Sequence, residues 1–135
     1  MKIRKARKTD FSRIIRLAKN LDLDYDGMQN DSFWVAEEKG LLAGIIGLKK
    51  QGDCDELCSL GVDPHHQKQG LGRRLVERLT QNVHGDIFLA TVIPGFFERC
   101  GFVKSQSVPA GMKKEPSWCK GCDKNLCTIM VRKGQ

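Results

Sequence analysis

Hydrophobic positions change their period several times along the chain, and each change marks an element. Phe11, Ile14, Ile15, Ala18 and Leu21 recur at helical spacing behind Thr9 and Asp10, either of which can cap a helix. Met1 to Ala6, ahead of them, is short enough for an opening strand. Ser32 to Glu38 and Leu41 to Lys50 read as strands, and the intervening Lys39-Gly40 predicts a tight antiparallel hairpin. Leu57 to Val62 predicts another strand. After Asp63-Pro64 and a glycine-bearing turn, Leu71, Leu75, Val76 and Leu79 resume helical spacing, with Arg73, Arg74, Glu77 and Arg78 on the opposite face. Gly85 ends that unit, and Asp86 to Val92 predicts a buried strand. Pro94 then opens a short helix through Cys100, which Gly101 is placed to stop as a C-cap glycine. Phe102 to Ser107 and Leu126 to Lys133 supply two closing strands around a cysteine-bearing loop at 109–127. Strands interrupted by helices, with hairpins at both ends, predict a mixed α/β sheet in one layer.

The segment Leu21 to Asp31 breaks the pattern. It sets Asp22, Asp24, Asp26 and Gly27 around Leu23, Tyr25 and Met28 and predicts a loop or broken helix with an acidic rim. The acidic spacing invites a calcium reading, but the closing Glu of an EF-hand loop is missing.

Composition narrows the class. At 135 residues, 40% hydrophobic and 29% charged, the chain fits one soluble domain over 1–135. Lys and Arg number 23 against 16 Asp and Glu, a net +7 that favours anionic partners without choosing among nucleic acid, acidic metabolites and phosphorylated cofactors. Aromatic residues do not interleave with basic ones and no known nucleic-acid motif is present, so no nucleic-acid partner is expected. The longest apolar run, Leu41 to Leu48, is strand-sized and interrupted by glycine, far from the ~20 residues of a membrane span. Lys2, Arg4, Lys5, Arg7 and Lys8 are followed by Asp10 and a polar period rather than by an apolar signal-peptide core, which places the expected compartment in the cytoplasm. Six cysteines there point to reduced thiols or a metal site before a disulfide framework.

The most informative stretch is Leu60-Gly61-Val62-Asp63-Pro64-His65-His66-Gln67-Lys68-Gln69-Gly70-Leu71-Gly72-Arg73-Arg74-Leu75. A strand runs through Gln-x-x-Gly-x-Gly directly into a helix. Gly70 and Gly72 allow close backbone approach, and successive N–H groups then point at whatever sits on the helix N-terminus. Two readings of such a turn stand side by side: a pyrophosphate cradle, or a tight turn that needs glycine for geometry alone. It is not a Walker A loop, since no Gly-Lys-Ser/Thr follows, and it lacks the full Gly-x-Gly-x-x-Gly dinucleotide fingerprint. The adjacent His65 and His66 read as solvated turn residues.

This segment resembles the acetyl-CoA-binding motif of the GCN5-related N-acetyltransferases (GNAT), in which Arg/Gln-x-x-Gly-x-Gly/Ala joins the central strand to the cofactor helix; Gln67, Gly70 and Gly72 match it position for position. Phe96 to Phe102, Phe-Phe-Glu-Arg-Cys-Gly-Phe, resembles a second element of the family, the Phe/Tyr-Glu-x-x-Gly-Phe signature after the fifth strand. The order and spacing of both agree. The resemblance implies the GNAT fold: a single mixed, mostly antiparallel sheet of about seven strands flanked by about four helices, splayed into a V between the fourth and fifth strands. It implies acetyl-CoA in that V, with pantetheine along Leu60, Gly61 and Val62. The pyrophosphate would meet the N–H groups from Gln67 through Lys68, Gln69, Gly70, Leu71 and Gly72 to Arg73. The helix dipole and the charges of Lys68, Arg73 and Arg74 favour an anion there; those cations serve equally well as a solvated helix face.

Acetyl transfer needs a neutral amine, so a group or water chain must take a proton as the thioester is attacked. Glu56 is the candidate, at the position where family members often carry a strand carboxylate acting through water; the alternative is a surface glutamate at a strand start. Many relatives place a tyrosine acid on the helix after the fifth strand, where this chain has Phe97. Its only tyrosine is Tyr25. Cys58 and Cys100 read as small buried hydrophobes, because direct transfer needs no acyl-enzyme.

The tail, Trp118-Cys119-Lys120-Gly121-Cys122 and Cys127 before Thr128-Ile129-Met130-Val131, is similar in part to the short, stand-alone N-acetylglutamate synthases. Those have a longer, proline-bearing spacer and an acidic residue after the third cysteine. Cys119, Cys122 and Cys127 could hold zinc with a fourth ligand from Cys100 or water, stay reduced, or form a labile Cys119–Cys122 disulfide. The expected activity is acetyl transfer to a primary amine of an amino acid, glutamate among them, or of another small molecule, in a monomer or homodimer. A protein N-terminus or lysine is the alternative acceptor. A non-catalytic basic binding module with a cysteine loop is the rival from another class.

Overall fold

The strand that carries the glycine turn is the fourth of seven in one sheet, and the elements around it follow the hydrophobic pattern closely. The computed structural model describes residues 1–50, 54–67, 69–109 and 127–134. Its strands are β1 (Lys2–Lys5), β2 (Ser32–Glu38), β3 (Leu41–Lys50), β4 (Asp55–Val62), β5 (Ile87–Thr91), β6 (Val103–Lys104) and β7 (Thr128–Arg132). Its α-helices are α1 (Phe11–Asn20), α2 (Leu71–Thr80) and α3 (Pro94–Arg99). The sheet order is β1-β2-β3-β4-β5-β7-β6. β1 with β2, β2 with β3, β5 with β7 and β6 with β7 pair antiparallel, while β4 and β5 run parallel and register at Asp55 with Ile87 and Glu56 with Phe88. This is the mixed GNAT sheet that the motifs imply.

Three expectations change. Three α-helices stand among the described residues where about four were expected, because the 21–31 segment folds as a turn with a single 3₁₀ helix at Met28–Asn30. The strand expected from Phe102 to Ser107 contracts to Val103–Lys104. Phe102 belongs instead to the cap of α3, and the Ser105 hydroxyl turns the chain, donating to the Ser107 carbonyl at 2.7 Å while accepting the Ser107 N–H at 3.3 Å. The strand expected from Leu126 to Lys133 begins at Thr128 and ends at Arg132, with Leu126 outside the described residues.

Cα packing divides the chain into two units, one of Met1–Lys49 with Leu57–Asn82, the other of Lys50–Glu56 with Val83–Gln135. In the first, Ile14, Leu17 and Ala18 of α1 close over Phe33, Val35 and Ile45 of the sheet, with Met28 sealing the edge. The hairpin turn is tight because Lys39 and Gly40 both take positive φ, 52° and 82°, which matches the right-handed twist of the flanking strands. Asp22 ends α1. At φ 57° it lets the Leu23 N–H return to the Ala18 carbonyl at 2.8 Å and its own N–H to Lys19 at 3.2 Å, a cap that usually carries glycine.

In the second unit β5 alternates buried and half-buried residues, as a sheet strand covered on one face should. Gly101, at φ 94°, closes α3: the Phe102 N–H reaches the Phe97 carbonyl at 3.0 Å and the Gly101 N–H that of Glu98 at 3.1 Å. The rings of Phe97 and Phe102 then meet edge-on, 5.9 Å between centroids. That contact is the hydrophobic seal of the cap.

A buried carboxylate ties the first unit's edge together. Asp10, 2% exposed, does not cap α1 through its side chain. It accepts Arg4 through both oxygens at 2.8 and 3.0 Å, Arg13 at 2.7 Å and the Arg7 N–H at 2.7 Å. Arg4, above all, holds the Asp10 carboxyl well below the usual carboxylate range, and the arginine is raised in turn. Because the folded pKa is lowered, this contribution to stability is complete above the ordinary carboxyl pKa of about 4 and is lost as pH falls toward the folded value. Asp10→Asn should lower stability by about 3 kcal/mol at neutral pH. Chemical denaturation at pH 7 and about pH 3 should find the gap to wild type narrowing on the acid side.

Candidate active site

β4 does not run as a regular strand. Ser59 takes φ 50°, a conformation in which a Cβ crowds the backbone, and strand alternation breaks there: Glu56, Leu57 and Cys58 are buried in succession while Ser59 and Leu60 are half-buried. The Ser59 hydroxyl donates to the Leu23 carbonyl at 3.0 Å. No sequence signal marks this kink, since serine is not a residue that ordinarily announces positive φ. Leu60 and Val62 are half-exposed, and Gly61 is buried. A Cβ on Gly61 would stand 2.6 Å from Leu23 Cδ1 and 2.7 Å from Leu21 Cδ1. The absence of a side chain at Gly61 therefore serves the packing of α1's end on β4, a role the motif alone does not reveal.

From Val62 the chain turns through a 3₁₀ helix, Pro64–His66, capped by the Asp63 side chain, which accepts the His65 N–H at 2.9 Å. Gln67 reaches back across this turn and donates through Nε2 to the Val62 carbonyl at 3.1 Å. The motif glutamine thus braces the strand end to the glycine turn. His66 is not merely solvated, as the sequence suggested, for its Nε2 lies 3.1 Å from Glu38 Oε2.

Gly70 precedes α2 with φ 74° and open space where a Cβ would be. Its carbonyl accepts the Arg74 N–H at 3.2 Å, the first bond of the helix, and no side chain caps the N-terminus. The N–H groups of Leu71, Gly72 and Arg73 lack intrahelical acceptors by helix geometry, so with the dipole behind them they form an anion-accepting end. Gln69 and Gly70 are exposed and Gly72 half-exposed.

The side chains of two residues of the expected cradle turn to other partners. Leu71 is 2% exposed, so only its backbone faces the turn; its side chain is part of the core beneath Gly44. Arg73 directs Nε to Glu77 at 3.1 Å, one helical turn on. Lys68 lies outside the described residues.

Glu56 is buried, 5% exposed, and belongs to the part of β4 that pairs with β5. Burial removes the surface-glutamate alternative. Tyr25 is half-buried and donates to Asp31 Oδ2 at 2.6 Å, with Cys58 Sγ 3.4 Å from the same hydroxyl. Burial first, then the neighbouring Cys58 and Asp31, push its phenol above the ordinary tyrosine range. Phe97 is a core side chain between Phe96 and Phe102, at 5.0 and 5.9 Å between ring centroids. Cys58 is buried and Cys100 half-buried. Of the tail cysteines, Cys127 is half-buried with a free thiol, and Cys119 and Cys122 lie outside the described residues. Among the described residues, no three His, Cys, Asp or Glu side chains cluster to hold a metal ion, and no helix is long and apolar enough to cross a membrane.

This kinked strand, its glycine turn and the uncapped helix define the class. Residues 29–104 match the acetyltransferase (GNAT) domain family, more than half of the chain, which therefore belongs to the GNAT acetyltransferases. An amino-acid acetyltransferase of Mycobacterium tuberculosis is 30% identical over 117 residues, covering 81% of this chain and 66% of that protein, so the chain spans just under two thirds of the relative's length. Among solved structures, Rv2747 of Mycobacterium tuberculosis, in complex with CoA, superposes with a TM-score of 0.76 at 22% identity over 100% of both chains. N-acetylglutamate synthase of Neisseria gonorrhoeae, complexed with coenzyme A and N-acetyl-glutamate, gives a TM-score of 0.77 at 23% identity over 99% of this chain and 35% of its own. These two structures share the fold.

The two glycines of β4 and the turn should respond differently to a methyl group. Gly61→Ala forces Leu21 and Leu23 aside and should cost about 1–3 kcal/mol, whereas Gly70→Ala meets only its φ and should cost about 1 kcal/mol. Urea denaturation of both variants checks the order.

Proposed function

We propose that this chain transfers the acetyl group of acetyl-CoA to the primary amine of an amino acid, by direct attack within a ternary complex. The observation that carries the reading is the α2 N-terminus: a positive-φ glycine, three N–H groups without intrahelical acceptors and a glutamine brace to the end of β4. The 30% identical amino-acid acetyltransferase supports an amino-acid acceptor. Glutamate is the first to try, because the Neisseria structure of the same fold holds N-acetyl-glutamate.

In this reading the amides of Leu71, Gly72 and Arg73 hold the pyrophosphate and the backbone of Leu60 and Val62 holds the pantetheine arm. The neutral amine attacks the thioester carbonyl carbon. A C–N bond forms, the C–S bond breaks, and CoA leaves as the thiolate. The proton released by the attacking nitrogen passes to Glu56, directly or through water. Glu56 stands on the same strand, four residues before Leu60, and its burial suits a base shielded from bulk solvent. Tyr25 does not suit the role of acid to the thiolate, because its proton is engaged by Asp31.

A screen of free amino acids and peptides, read by thiol release, tests the acceptor. Release with a free amino acid supports the proposal, and release only with peptide N-termini or lysines moves the chain to the protein-acetylating class. With the best acceptor, Glu56→Gln should lower kcat by about 10²–10⁴. An unchanged pH–rate profile in that variant would remove Glu56 from proton transfer.

A further inference from the structure

The segment between α1 and β2 is fastened to β4 at three successive places, all within the first packing unit. At Ser59 the hydroxyl donates to Leu23, whose own position is fixed by the left-handed Asp22 and the bond from the Leu23 N–H to Ala18. At Gly61 the missing Cβ leaves just the room that Leu21 and Leu23 occupy. At Cys58 the thiol meets the Tyr25 hydroxyl, which is itself anchored on Asp31, while the Lys49 ammonium lies 4.9 Å from the centre of the Tyr25 ring.

Residues 58, 59 and 61 of β4 are thus engaged by one loop. Leu60 and Val62, half-exposed, are the positions left between and beyond them. The positive φ of Ser59 is a strained conformation for a residue with a Cβ. Such a conformation persists only where its surroundings over-determine it. The surroundings that do so here are the Leu23 carbonyl and the Tyr25 cluster.

We infer that Ser59 and Tyr25 are positioning residues, which lock β4 in the kinked form that presents the Leu60 and Val62 backbone to the pantetheine arm of acetyl-CoA. The inference rests on the acetyltransferase reading above. Neither side chain is required to touch the cofactor. The loop that follows α1 thereby governs how the cofactor strand is shaped, while the α2 turn that takes the pyrophosphate is built by Gln67 and Gly70 and stands apart from these contacts.

That separation gives the test. Adenosine diphosphate carries the pyrophosphate without the pantetheine arm, so calorimetric binding of acetyl-CoA and of adenosine diphosphate should be compared in wild type, Ser59→Ala and Tyr25→Phe. Alanine keeps the Cβ, and with it the strain at positive φ, so Ser59→Ala reports the lost hydroxyl bond alone, and Tyr25→Phe keeps the ring while removing its two polar contacts. Both variants should bind acetyl-CoA about three- to tenfold more weakly, the worth of one hydrogen bond, with adenosine diphosphate affinity unchanged. Wild-type acetyl-CoA affinity in both variants would overturn the inference. Equal weakening of both ligands would overturn it too, by reducing the contacts to general support of the fold. A wild type that binds adenosine diphosphate but gains nothing from the pantetheine arm would instead overturn the acetyltransferase reading itself.

Discussion

A serine hydroxyl in the fourth strand donates to a carbonyl in the loop after the first helix, 36 residues earlier in the chain, and the strand kinks where that bond is made. A regular strand would alternate its side chains between two faces and offer its backbone to the strands on either side. β4 breaks that alternation at Ser59: Glu56, Leu57 and Cys58 are buried in succession, and Ser59 and Leu60 are half-exposed. The Gln67 brace, the Asp63-capped turn and the start of α2 all follow from where β4 ends.

The chain's positive charge is less freely available than its net value suggests. Arg4 and Arg13 are committed to Asp10 and Glu37, Arg73 to Glu77, and Lys133 to Asp86. At the glycine turn itself the helix offers an anion its backbone, namely N–H groups without intrahelical acceptors aligned with a helix dipole. Backbone donors are fixed in direction by the helix and lose no side-chain entropy when a ligand arrives.

Legibility followed the range of the interactions involved. The Lys39-Gly40 hairpin, the Gly101 cap and the apolar face of α2 were readable because each is decided by residues within a few positions of one another. The glycine turn was readable for the same reason, and its neighbours supplied the family. Misreadings occurred where a side-chain contact, rather than backbone period, decided the outcome. Asp10 looked like a cap and instead collects two arginines from β1 and α1. Phe102 looked like the start of a strand and instead seals a helix cap.

The sequence by itself determined the order of elements and the glycine turn with its helix, because local period and short-range backbone chemistry dictate them, and the resemblance of its motifs pointed to the GNAT class. Tertiary structure alone decided that Glu56 is buried, that Gly61 makes room for Leu21 and Leu23, and that Ser59 adopts a left-handed conformation. Each of those depends on a contact between residues far apart in the chain. No local preference of a glutamate, a glycine or a serine encodes which distant side chain or carbonyl will be waiting beside it.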